Sequence, residues 1–166
     1  MSAEPKLAKV EEDMPHREWR EPLIRYLVSL GLSRDDGQDV AQEAFLRMHQ
    51  HIASAGDQRN LRSWLFRVAH NEARNRQQTY ERRYGSSMDG VDAADSSNPE
   101  SRFLKKERQV RLVAAMKTLS ETERECLLLR AEGLRYREIG DVLSLPVSTV
   151  ADMVERCIKK LAEKIL

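Results

Sequence analysis

The stretch Leu119-Ser120-Glu121-Thr122-Glu123-Arg124-Glu125-Cys126-Leu127-Leu128-Leu129 opens a run of three helices, and its reading decides the fold. Ser120, Thr122 and Glu123 form a helix start signal, and Leu127, Leu128 and Leu129 supply the apolar face. Gly133 is placed to end that helix. Tyr136-Arg137-Glu138-Ile139-Gly140-Asp141-Val142-Leu143 makes a short second helix, Ser144-Leu145-Pro146 a turn, and Val147-Ser148-Thr149-Val150 the start of a third. In that third helix Val150, Val154, Cys157, Ile158, Leu161 and Ile165 recur at helical period, which predicts one buried stripe and one outward face. A helix-turn-helix of this kind lays its second helix in the DNA major groove. DNA reading is therefore expected of residues 119–166.

Composition bounds the rest. A third of the 166 residues are charged and only 5% are aromatic, a supply of apolar side chains that suits small helical bundles rather than one large core. No stretch approaches the roughly 20 apolar residues of a membrane span, and the polar start, Met1 to Asp13, lacks a signal-peptide pattern. A cytoplasmic location without membrane insertion is expected. Cys126 and Cys157 both fall at apolar helical positions and read as buried thiols. No Cys/His spacing suits zinc, so neither a metal nor a cofactor is expected.

A net charge of +1 looks unsuited to nucleic acid until it is mapped along the chain. Residues 1–15 carry −2, residues 16–84 carry +3, residues 85–102 carry −3 and residues 103–166 carry +3; residues 59–84 alone hold seven Arg against Glu72 and Glu81. Basic modules thus alternate with acidic connectors. Residues 85–102, rich in Gly, Ser and Asp without apolar period, read as a flexible linker. The expected fold is all-α: a disordered tail over 1–15, a three-helix domain over 16–84, the linker over 85–102 and a helix-turn-helix domain over 103–166.

Within residues 16–84 the pattern predicts helices over 16–30, 36–52 and 60–80. Trp19, Leu23, Ile24, Leu27 and Leu30 form the inner face of the first. Val40, Ala44, Phe45, Met48 and Ile52 form that of the second. Leu61, Trp64, Leu65, Val68 and Ala69 form that of the third, whose later half is polar all round. A helix over 103–119 leads into the helix-turn-helix.

Three motifs in this order carry a resemblance: Asp36-Gly37-Gln38-Asp39-Val40-Ala41-Gln42-Glu43-Ala44-Phe45-Leu46-Arg47, then Leu61-Arg62-Ser63-Trp64-Leu65-Phe66-Arg67-Val68-Ala69-His70-Asn71, then the helix-turn-helix. Together they resemble an extracytoplasmic-function (ECF) sigma factor, the two-domain minimal group of the RNA polymerase sigma family. The resemblance implies a transcription initiation factor with no catalysis of its own. Its first domain would bind the largest subunits of the polymerase core and melt the promoter's minus-ten element; its second would contact the minus-thirty-five element. The implied core-binding residues are Asp36, Asp39, Gln42, Glu43, Leu46 and Arg47. The implied minus-ten residues are Arg59, Asn60, Arg62, Trp64, Arg67, Asn71, Arg74, Asn75 and Arg76, with the loop over 55–60 holding an extruded base. The implied minus-thirty-five residues are Arg135, Tyr136, Arg137, Ser148, Thr149, Asp152, Glu155, Arg156 and Lys159. An anti-sigma factor or a helper protein is a further implied partner.

The sequence departs from the family pattern at three places. Gln38 replaces a usual Glu, Asn75 stands where Asp is common with Glu72 added nearby, and the recognition helix has Ala151 and Met153 where Lys and Arg are usual. Asp152 and Glu155 are added on its outer face. Carboxylates repel phosphate, although they can accept from cytosine N4; weak upstream binding is expected unless both merely pair with Arg156 and Lys159. A second reading stands beside the first: a sigma-like protein-interaction module with little DNA reading of its own. An enzyme reading has only His49-Gln50-His51 and His70-Asn71-Glu72 to rest on, and histidines two apart on a helix do not share a face.

Overall fold

The computed structural model describes residues 16–84 and 99–165. The expected tail, and most of the expected linker, lie outside the described residues. The chain divides at Gln78/Thr79, within the last turns of its third long helix, into two compact units.

In the first unit a 3-10 turn, Arg17–Trp19, leads into α1 (Arg20–Ser29), α2 (Arg34–Ala53) and α3 (Leu61–Tyr84). The α1–α2 corner turns through Gly31, whose φ of +109° is open to glycine at little cost. Leu32 then folds back, its N–H donating to the Leu27 carbonyl (3.3 Å), and its side chain is buried. Ser33 caps α2 by accepting the Asp36 N–H at 3.1 Å, and Asp35 and Asp36 sit in the first turn where the helix dipole favours them. The core is formed by Leu23, Ile24 and Leu27 of α1, Val40, Ala44, Phe45 and Met48 of α2, and Leu61, Leu65 and Ala69 of α3.

Two expectations for this unit are corrected. Trp19, Leu30, Ile52, Trp64 and Val68 are only half-buried; Trp19 precedes α1 and stacks on His16 with ring centroids 4.2 Å apart. The inner face of α3 does not stop at Ala69. It continues through His70 and Ala73, both buried, to Gln77, whose amide donates to the Leu30 carbonyl. Tyr26, fully buried on α1, hydrogen-bonds His70 Nδ1 at 2.8 Å. A buried polar group costs little when it is paired, so polar residues extend the stripe that apolar ones begin.

In the second unit α4 (Pro99–Met116), α5 (Glu121–Ala131) and α6 (Tyr136–Leu143) all pack against α7 (Val147–Ile165). α4 begins at Pro99, inside the expected linker, with proline where a missing N–H costs nothing; it ends at Met116, and Leu119 is buried beyond it. Ser120 and Glu123 form a reciprocal cap at the start of α5: the Ser hydroxyl accepts the Glu123 N–H (3.2 Å) and the Glu carboxylate accepts the Ser120 N–H (2.9 Å). Gly133, at φ +90°, ends the helix as expected, and the Leu134 N–H closes it onto the Leu129 carbonyl at 3.2 Å. The turn into α7 is tight. A Cβ on Gly140 would stand 2.6 Å from the Leu145 carbonyl oxygen, so only glycine lets α6 come this close.

Here too the apolar runs need correction. Leu127 and Leu128 are half-buried, whereas Cys126 and Leu129 are buried. On α7 Val150, Val154 and Cys157 are buried, Leu161 and Ile165 are half-buried, and Ile158 faces solvent. Ile158 lies one residue past Cys157, a rotation of about 100° that takes it off the stripe.

Candidate functional site

Three surfaces collect the candidate residues. The first lies on α2. Val40, Ala44 and Met48 point inward, so Asp39, Gln42 and Leu46 emerge on the opposite side, exposed, while the exposed Asp36 and Arg47 and the half-buried Glu43 lie along its flank. Leu46 is 43% exposed amid charged neighbours, an apolar group set where a protein partner could cover it. Arg47 is engaged within the unit: it pairs with Glu43 at 2.7 Å and with Glu72 of α3 at 3.9 Å, and Glu72 also holds Arg76 at 3.3 Å. Glu72, an intruder by the family pattern, thus pairs with Arg47 of α2 as well as with Arg76 of its own helix.

The second surface combines the loop over 54–60 with the outer side of α3. Trp64, Arg67, Asn71, Arg74 and Asn75 recur at spacings of three and four residues and share that side. Arg62 and Arg76 do not. Both are half-buried on the flank away from Arg67, and Arg76 is turned to Glu72. Arg74 lends a guanidinium N–H to Gln77 at 3.2 Å. At the loop, Arg59 is clasped by Asp57, whose carboxylate accepts the Arg59 backbone N–H at 3.0 Å and its guanidinium at 2.9 Å. These hydrogen bonds hold the Asp57 carboxyl down at about 2, so the clasp keeps its charge across the ordinary pH range. Asn60 is exposed at the start of α3, with its carbonyl accepting the Trp64 N–H (2.9 Å) and the Ser63 hydroxyl (3.1 Å). Sequence reasoning missed His51. Weighed only as a metal ligand, it instead stacks on Trp64 with ring centroids 4.7 Å apart.

The third surface is the helix-turn-helix. Ser148, Asp152, Glu155 and Lys159 form one exposed row on α7, opposite Val150, Val154 and Cys157, and Thr149 is half-buried beside it. Arg135 and Arg137 are exposed at the start of α6, where the Arg135 N–H donates to the Glu138 carboxylate at 2.7 Å. Tyr136 lies beneath the Arg130 guanidinium, 5.3 Å from ring centre to charge. The pairing of Asp152 and Glu155 with Arg156 and Lys159 does not form among the described residues. Arg156 turns instead to Glu123 of α5 (3.6 Å), which also receives Lys160 (3.5 Å).

Glu123 is therefore a buried junction of cap and ion pairs. The Ser120 N–H, above all, holds its carboxyl below the usual range, with Lys160 and Arg156 adding to the effect and burial opposing it. A carboxyl whose folded value is depressed stabilises the fold above its unfolded value, about 4.5, and that stability is lost as pH falls through the lower folded value. The thermal stability of the full chain is expected to fall below about pH 4.5, and Glu123→Gln to flatten that part of the profile. An unchanged slope in the variant would remove Glu123 from this role.

Burial lifts the Cys126 thiol to about 11 and raises Cys157 as well, and neither forms a disulfide. His70 is taken up by Tyr26. Among the described residues no group of acidic, His or Cys side chains is arranged to hold a metal, and no helix is long and apolar enough to cross a membrane.

An exposed charged face on α2, a basic α3 with a loop at its start, and a helix-turn-helix follow one another along the chain. The sigma-70 region 2 model matches residues 16–83 and the sigma-70 region 4 model matches residues 109–163. The ECF RNA polymerase sigma-E factor of Escherichia coli (strain K12) is 31% identical over 153 residues, spanning 86% of this chain and 80% of that protein. That of Haemophilus influenzae is 29% identical over 150 residues, spanning 84% and 79%. Among solved structures, the sigma factor RpoE in complex with the anti-sigma factor NepR, from Bartonella quintana, is similar in fold, with a TM-score of 0.61 at 22% identity over 86% of this chain and 89% of that one. This chain belongs to the sigma-70 family, in its ECF group. It is a transcription initiation factor that directs RNA polymerase to promoters, and it is not an enzyme.

Proposed function

We propose a division of labour among the three surfaces. Asp36, Asp39, Gln42, Glu43, Leu46 and Arg47 on α2 dock the polymerase core. The loop over 55–60 and the outer side of α3 open and read the minus-ten element, while the exposed row of α7 contacts the minus-thirty-five element. The observation that carries this reading is the side of α3 shared by Arg67, Asn71, Arg74 and Asn75 directly after the loop. Cations and amides there offer donors to phosphates and base edges, and no comparable cationic row exists on the outer face of α7, where Asp152 and Glu155 intervene. The α3 surface therefore supplies most of the DNA affinity, and the upstream contact is weak without polymerase or a helper. Run-off transcription with core polymerase on a promoter library tests this. Discrete start sites that depend on the chain support it; core binding without any transcript would favour the interaction-module reading.

The arginines of α3 make a quantitative test. Each phosphate contact contributes about −0.9 to the slope of log affinity against log salt. Replacing Arg67 and Arg74 by Ala is expected to make that slope shallower by about 2, measured by titrating the full chain with polymerase on promoter DNA. No change in slope would reduce them to solvated surface.

An anti-sigma or helper protein fits the same chain. The solved relative was captured with an anti-sigma factor, and α4 exposes Phe103 (71%) and Val110 (61%), seven residues apart on one side. We place the chain in the cytoplasm, on the nucleoid when bound to polymerase. The domains are taken as 16–84 and 99–166, with α4 included in the second, joined through 85–98. Limited proteolysis of the free protein should cut first within 85–98; a first cut inside any of the seven helices would defeat this division.

A further inference from the structure

We propose that His51 is a positioning residue for the promoter-reading loop and sets how strictly that loop discriminates between bases. The inference rests on the reading of this loop as the minus-ten reader. His51 stands in the last turn of α2 and is half-buried. Its imidazole stacks on Trp64 in the first turn of α3, with planes 21° apart. Its Nε2 lies 3.0 Å from the Asp57 carbonyl oxygen, and its own carbonyl accepts the Gly56 N–H at 2.9 Å. Ala55, at φ +57°, turns the chain back over the ring. Gly56 then crosses so closely that a Cβ there would stand 2.4 to 2.6 Å from three ring atoms. Beyond it, the Asp57 carboxylate grips Arg59. The path through Gly56 and Asp57 is thus set against one side chain, which joins the end of α2 to the start of α3.

Physical reasons make this more than a staple between helices. An extruded base must offset an unstacking cost of a few kcal/mol. A loop that has to be ordered on binding adds its own entropy cost and can adapt to several bases. A loop already in shape avoids that cost and accepts only what fits. Ala55 in a left-handed conformation shows that the loop is held against a local preference, which requires surrounding contacts to impose it. His51 supplies those contacts on three sides. Its ring also covers one face of Trp64, so the indole acts as a support for the loop, with less of its surface open to a base.

Three variants of the full chain, assayed with core polymerase, test the proposal. His51→Ala removes the ring, His51→Phe keeps the stack but loses the hydrogen bond to Asp57, and Gly56→Ala forces the ring aside. The readout is single-round transcription from a library randomised in the minus-ten element. His51→Ala and Gly56→Ala are expected to lower the preference for the best base over the next by about tenfold at one position, within the range that single base pairs contribute. His51→Phe is expected to recover most of that preference. In a Trp19→Phe background, Trp64 fluorescence should change in His51→Ala and Gly56→Ala but little in His51→Phe. Asn60→Ala serves as the control for the loop itself. If Asn60→Ala alters the base profile while His51→Ala stays within twofold of the parent, the positioning role is overturned. If neither variant alters it, the loop is not the reader, and both readings fall together.

Discussion

Asp39→Arg combined with Leu46→Asp is expected to abolish assembly with core polymerase, weakening it by at least a hundredfold, about 3 kcal/mol. Both side chains are exposed on α2 and neither takes part in an ion pair or in the core among the described residues. The double change reverses one charge and places another where an apolar group meets the partner, and unpaired or like charges brought together at an interface cost several kcal/mol. Glu43 and Arg47 are poorer targets. They pair with each other, and Arg47 reaches Glu72, so altering them disturbs the α2–α3 junction as well as the docking face. Copurification with tagged core, with circular dichroism to confirm unchanged helix content, is the measurement. Assembly within threefold of the parent would move the docking face elsewhere.

The largest effect on folding is expected from Gly140→Ala. Alanine ordinarily favours a helix over glycine by about 1 kcal/mol, so propensity alone predicts a gain. Space predicts a loss, and it wins. The new methyl would meet the Leu145 carbonyl, a backbone atom at the turn that cannot swing aside as a side chain could. That same turn is held by the Leu145 N–H on the Gly140 carbonyl at 3.0 Å. Opening it shifts α6 against α7 and strains a packed core, at a net cost of about 2–3 kcal/mol. The transition of the second unit should fall by roughly 10–20 °C, with loss of upstream protection, while the first unit's transition stays in place. An equal or higher melting temperature would show that the turn relaxes freely.

The sequence made some of this legible and hid the rest for physical reasons. Ser120 and Gly133 announced the ends of α5 because capping chemistry is local: the partner groups lie within a few residues. Val150, Val154 and Cys157 announced the buried side of α7 because period alone identifies it. Tyr26 and His70 did not announce each other, being 44 residues apart in the chain, and a stripe counted in apolar residues passes over a polar pair that is satisfied only in three dimensions. The same blindness ended the inner face of α3 at Ala69, though not the helix itself, and left Glu72 looking like an intrusion. For the site, the family resemblance named Arg67, Asn71, Arg74 and Asn75 together with Arg62 and Arg76, but could not say that Arg76 belongs to Glu72 or Arg156 to Glu123. His51 was hidden for a further reason. Its role is defined by a glycine five residues on and a tryptophan thirteen residues on, and neither is signalled by composition.

The junction at Glu123 bears on how the two units find DNA. Arg156 and Lys160 are both held there, inside the second unit. What α7 shows to solvent along its outer row is Ser148, Asp152, Glu155 and Lys159, one positive charge against two negative. Such a row draws little help from electrostatic steering, which depends on a cationic face to raise the encounter rate. On the division of labour proposed above, the upstream reader works as a tethered module. With α3 engaged at the downstream element, the covalent connection along the chain turns the second contact into an intramolecular one and raises the effective concentration of α7 there. Affinity too weak to be useful in free solution becomes sufficient there, and promoter choice comes to depend on the spacing between the two elements as much as on the bases within the upstream one.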